Sequence, residues 1–187
     1  MRTHRTQRLP RDLLVKAAGT ALVTALLTYP LWGPQGGGDG ILGEITARGP
    51  AAALLTAAVF LALVALYCRA LQRTLTLIPA AARAAPPASV WWMFAIPHNF
   101  TEDFFIVRNV AASLAADGRV PARSVRHWAL TGHGWCALQI LSLFPGAAGR
   151  AGGGLALLLW AAHWVLTVRV NRSLAVRPST ARIAHST

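Results

Sequence analysis

Two adjacent acids, Glu102 and Asp103, stand inside an otherwise apolar stretch, residues 88–116. A carboxyl group in such a setting is costly to bury and marks a functional site whose partner must then be found. Candidates for that partner lie close by in the sequence: His98 before the acids, and Arg108 and Asn109 on the following turns; His98, Asn99 and Arg108 are also substrate-binding candidates. Burial and like-charge crowding favour one protonated carboxyl beside an ionised one, the arrangement that general-acid chemistry needs. The plainer reading is that both acids complement a helix N-terminus at a membrane surface.

Indole and amide groups recur with helical spacing elsewhere. Thr131, Trp135, Gln139 and Ser142 fall at i, i+4, i+8 and i+11, and Trp160, Trp164, Thr167 and Asn171 at i, i+4, i+7 and i+11, so each set is one stripe of a helix. Polar stripes on membrane helices face one another or a cavity. Either they hold helices together with Trp as filler, or they wall a pocket whose indole faces stabilise a cation. Trp91 and Trp92, at the start of the acidic stretch, join the substrate-binding candidates.

The remaining inventory excludes much. No multi-histidine box, C-x-x-C pair, zinc spacing or phosphate-binding glycine loop is present. His133 and His163 lie roughly 8 and 10 Å from the ends of their helices by the helical rise, so they are candidate axial ligands for a haem, with hydrogen-bonded packing as the alternative. No metal or other cofactor is expected.

These residues need a scaffold, and the composition names its kind. The chain has 187 residues, 55% of them apolar and 13% charged, with a formal charge of +12 and a single lysine, Lys16. That apolar content excludes a soluble enzyme, a disordered tail, a disulfide scaffold and a nucleic-acid binder. The reading is one all-α integral-membrane domain, residues 1–187, with four transmembrane helices at about 13–32, 51–69, 128–144 and 154–170. The first, preceded by Arg2, Arg5, Arg8 and Arg11, reads as a retained signal anchor. Glycine-rich 33–43 and residues 145–153 read as outer connectors.

Counting basic residues by loop decides how to treat 88–116. If it crosses, the two sides carry 9 and 8 basic residues; if it does not, they carry 15 and two. Only the second arrangement obeys the positive-inside rule. Both termini are then cytoplasmic, and 88–116 is a Pro-broken re-entrant or interfacial helical segment. Pro97 interrupts it, Asn99 and Glu102 have capping-box spacing, and Asp117-Gly118 closes the following helix. A half-helix of about ten residues reaches roughly 15 Å, so a re-entrant tip would lie near the midplane. The alanine and arginine richness suits a high-GC bacterial source, and hence a multi-pass protein of a bacterial cytoplasmic membrane.

With Glu102-Asp103, the Trp set and a four-to-five-helix plan, the chain resembles the small integral-membrane terpene cyclases of bacterial meroterpenoid pathways. The resemblance implies acid-initiated cyclisation of a prenyl chain, a prenylated hydrophobic small-molecule substrate met within membrane lipid, and no metal cofactor. Glu102 and Asp103 would supply the proton, and the indoles would steer the carbocation. Two other classes stand beside this reading. One is a non-catalytic assembly partner or small transporter subunit, whose acids pair with a partner's cation; the other is a haem-bearing electron carrier.

Overall fold

The computed structural model describes residues 8–32 and 49–176; the 33–43 connector, Arg2 and Arg5 lie outside the described residues. Among the described residues five α-helices carry the fold: α1 (Arg8–Trp32), α2 (Pro50–Leu77), α3 (Asn99–Asp117), α4 (Ala122–Leu141) and α5 (Gly146–Val176). Two 3₁₀ segments, Ala80–Ala82 and Pro87–Phe94, lie between α2 and α3. There is no strand among the described residues. Among the described residues three helices, α1, α2 and α5, are long and apolar enough to cross a membrane. The expected span at 128–144 falls largely in α4, which is not one of these three. Arg123, Arg126, His127, His133 and Gln139 lower its hydropathy.

Element ends follow local chemistry. Gly49, with φ 92°, precedes Pro50 at the first position of α2, where the missing N–H costs nothing. Gly118, with φ 71°, ends α3 and donates its N–H to the Leu114 carbonyl, as Asp117-Gly118 predicts. The expected capping box is not formed. His98 takes the cap position without a side-chain bond, Asn99 is already helical, and Glu102 is held by other partners. The first limb of 88–116 is a 3₁₀ segment, Pro87–Phe94, and not an α half-helix, and it ends before Pro97. The expected connector at 145–153 is instead mostly the first turns of α5.

Side-chain contacts fix the direction of every helix. Tyr67 meets His163 and Thr74 meets Asn171, so α2 and α5 run parallel. Trp128 donates to Thr167 while Trp135 stacks on Trp160, so α4 is antiparallel to α5. Gly132 of α4 packs against Val107 and His163, and the next residue, His133, meets Phe104, so α3 is antiparallel to α4 and parallel to α5. The C-termini of α2, α3 and α5 therefore share one end of the bundle. There Arg119 donates to the Leu77 and Leu174 carbonyls, satisfying orphan groups of two helix ends, and to the Asp117 carboxylate of a third helix.

Residues 78–117 thus form a hairpin that leaves that end and returns to it. On the way up, the Cys68 thiol donates to the Val90 carbonyl and the Trp91 N–H to Gln72. On the way down, α3 spans about 28 Å, against about 42 Å for α2 and about 46 Å for α5. The tip, near His98, stops well short of the far end. Helix α1 lies antiparallel on α3, with Asp12 level with Arg108 and Thr20 level with Thr101.

Candidate functional site

Asp103 faces the interior of the hairpin and Glu102 faces α1. Adjacent residues on a helix point about 100° apart, so the pair separates by geometry alone. The Asp103 side chain is 2% exposed, and its Oδ1 has no hydrogen-bond partner among the described residues. Tyr67 and Cys68 on α2 and Cys136 on α4 are other titratable groups of this interior. One turn earlier on the same face, Asn99 Oδ1 is also buried without a partner. Buried polar atoms are normally paired, so each exception calls for an explanation.

Further exceptions line the same interior. Gln139 Oε1, Trp160 Nε1 and His163 Nε2 are buried without partners. Opposite Val107 and Gly132, the antiparallel run of α4 brings Cys136 to the height of Asp103 and Gln139 to the height of Asn99. Tyr67 links this polar column to the aromatic cluster. Its hydroxyl and His163 Nδ1 share a hydrogen bond of 2.6 Å, and its ring meets Trp135, Trp160 and Trp164 edge-on at 5.6, 5.7 and 6.0 Å between centroids. Trp128 lies 4.3 Å from the His163 ring. Edge-to-face contacts of this kind present the electron-rich faces of some rings to the interior.

Glu102 belongs to a second polar group, the seam between α1 and α3. Lys16 Nζ lies 2.6 Å from its carboxylate and His98 Nε2 lies 3.3 Å from it. Thr20 Oγ1 is 3.2 Å from both His98 Nδ1 and Thr101 Oγ1. Below these, Arg108 holds Asp12 with two nitrogens, at 3.0 and 3.3 Å. The Phe105 ring has Lys16 over it at 4.5 Å and Arg108 at 4.6 Å. A largely apolar groove runs along each side of the seam. One, of about 850 Å³, holds Lys16 and His98; the other, of about 560 Å³, is lined by Gly19, Thr101, Phe104, Phe105, Arg108 and His133 among others.

The structure therefore sorts the sequence-derived residues into groups. Asp103, Asn99, Gln139, Trp135, Trp160 and Trp164 belong to the interior; Glu102, His98 and Arg108 belong to the seam. Trp91 and Trp92 belong to neither, being 38% and 58% exposed on the outer side of the 3₁₀ limb. The two candidate haem ligands do not share a gap. His163 is closed in by Tyr67, Trp128 and Gly132, whereas the His133 Nδ1–H donates to the Ala129 carbonyl of its own helix and its ring lies over Phe104. No porphyrin fits at the His163 Nε2, against which α4 packs directly.

Sequence reasoning missed Tyr67, Lys16 and Thr20 as site residues. A lone tyrosine in the aliphatic run of α2, and a lysine in the first apolar run, were the available signals. No family model, curated protein or solved structure matches the chain.

Proposed function

We propose that the chain is a four-span membrane enzyme that uses Asp103 as a general acid on an isoprenoid chain. In this reading α1, α2, α4 and α5 cross the bilayer with both termini in the cytoplasm. The 78–117 hairpin enters from that side, and its tip lies near the midplane. The observation that carries the proposal is the buried, unpartnered Asp103 carboxyl beside Tyr67, whose ring is in turn surrounded by indoles. The reading requires Asp103 to carry its proton before substrate binds. Asp103 then gives that proton to a terminal alkene carbon, and the O–H bond breaks as the C–H bond forms. The neighbouring π electrons close a ring, indole faces stabilise the cation, and transfer of an adjacent proton back to the Asp103 carboxylate restores both the alkene and the acid. The net change is an isomerisation, which needs no oxidant or reductant. The groove lined by Gly19, Phe104 and His133 offers the chain a route from the lipid, with Phe104 and His133 parting to admit it.

The test is an assay of membranes containing the full chain with farnesylated aromatic compounds, read as products of unchanged mass and altered retention. Asp103→Asn is expected to retain the fold and lose at least about a hundredfold in turnover, the scale of a missing general acid. Glu102→Gln is expected to retain most of the turnover. Isomer formation that survives in Asp103→Asn overturns the assignment.

A further inference from the structure

A band of arginines circles the bundle at one height. The Thr74–Asn171 contact sets Arg73 of α2 level with the Arg169–Val170 pair of α5, and the Trp128–Thr167 contact sets Arg126 of α4 level with Arg169. The same registers put Arg172 level with Arg123 one turn further along α5. All five are exposed, and none has a carboxylate partner among the described residues. Toward the other end, the outer faces of the same helices carry exposed Leu66, Val165 and Leu130. Aliphatic surface gives way to guanidinium surface within about one turn on α4 and α5 and within about two turns on α2.

Trp91 and Trp92 mark the same height independently. The Trp91 N–H donates to Gln72, the residue before Arg73, at 3.1 Å, and both indoles are exposed beside Phe94. Exposed indoles at such a boundary are the signature of the head-group level of a bilayer. Two described acids lie toward this end of the bundle, Asp117 and, in the first turns of α1, Asp12; Arg119 takes the first at 2.8 Å and Arg108 the second at 3.0 Å. The five arginines of the band are left without a described acid to compensate them.

We infer that this band binds the phosphates of anionic phospholipids in the adjoining leaflet. Guanidinium forks match phosphate oxygens, and a negatively charged surface attracts such residues strongly only near its own plane. A soluble polyanion such as RNA fits less well, since it would leave Leu66, Leu130 and Trp92 facing water. The inference does not depend on the chemistry assigned to Asp103.

The experiment reconstitutes the full chain in vesicles of equal parts phosphatidylglycerol and phosphatidylcholine, extracts it in mild detergent, and quantifies retained lipid by mass spectrometry. Phosphatidylglycerol is expected to be enriched roughly fivefold or more over phosphatidylcholine. The triple variant Arg73→Gln, Arg169→Gln, Arg172→Gln is expected to bring the ratio near one. The corresponding Arg→Lys triple is expected to keep most of the enrichment, which separates lost charge from lost fold. Equal retention of the two lipids by the unaltered chain overturns the inference, as does enrichment unmoved by the Gln triple. So does a mixed-sequence RNA oligonucleotide that binds the detergent-extracted protein and displaces phosphatidylglycerol.

Discussion

Tyr67 Oη and His163 Nδ1 lie 2.6 Å apart at the centre of the aromatic cluster, joining the parallel helices α2 and α5. Around it the His163 ring meets Tyr67, Trp128 and Trp135 and the glycine face of α4. The hydrogen bond with Tyr67 is a polar link that orients the imidazole. Tyr67→Phe keeps the ring and its packing while deleting the link, and should cost about 1 kcal/mol, the range seen for side-chain hydrogen bonds between membrane helices. A double-mutant cycle with His163→Phe, read by unfolding in a denaturing detergent, is expected to show coupling of about that size. Strict additivity would mean that the two groups do not interact in the protein.

Glycines at the helix contacts divide into two kinds. A Cβ added at Gly132 would meet His163 Nε2 and Val107 at 2.8 Å, whereas at Gly154 nothing lies within 4 Å. Gly132→Ala should therefore push α4 away from α3 and α5 and destabilise by about 1–3 kcal/mol, as overpacking does. Gly154→Ala should be neutral or stabilise by up to about 1 kcal/mol through helix propensity. Thermal unfolding of the two variants in the same detergent compares them directly, and matching shifts would contradict the close approach of α4 to α3 and α5.

How much of this was legible beforehand varies with the kind of interaction. Helical class, the break at Pro97 and the stop at Gly118 follow from local chemistry, and they are where the sequence placed them. The division of Glu102 from Asp103 was also implicit, because neighbouring helical positions cannot share a face. Of what each acid meets, only the His98 contact of Glu102 was legible. Lys16 lies 86 positions before Glu102, and only the folded register of α1 on α3 brings them to 2.6 Å. Trp91 and Trp92 misled for a related reason: indoles suit a pocket and a bilayer surface equally well, and exposure alone decides between them.

Arg119 is the closest thing in the structure to a clasp. It reaches the last carbonyls of α2 and α5 and pairs with Asp117, whose side chain is only 2% exposed. Replacing it by Met removes donors from two helix ends and leaves a buried carboxylate without its cation. The expected loss is about 3 kcal/mol, typical of breaking one side of a buried pair. Arg126→Met, at an exposed position with no such partner, should lie within about 0.5 kcal/mol of the unaltered protein. Comparable losses in both would show that general charge, and not the clasp, sets the stability of this end.

The hairpin makes a topological demand that labelling can check. Ala81 and Ala116 flank its two limbs, and Arg119 ties the Leu77 end of α2 to the Asp117 end of α3, so both positions must lie on one side of the membrane. Cys68 and Cys136 are buried, so they are expected to react slowly with a membrane-impermeant maleimide and can be replaced by Ser for a clean background. In that background Ala81→Cys and Ala116→Cys should stay unlabelled in intact cells and react after the membrane is opened. Ala148→Cys, on an exposed turn at the far end, should react in intact cells. If Ala116→Cys reacts from outside while Ala81→Cys does not, the 88–116 segment crosses the bilayer. The near-even split of basic residues would then be the true one, and the re-entrant arrangement proposed for Asp103 would fall with it.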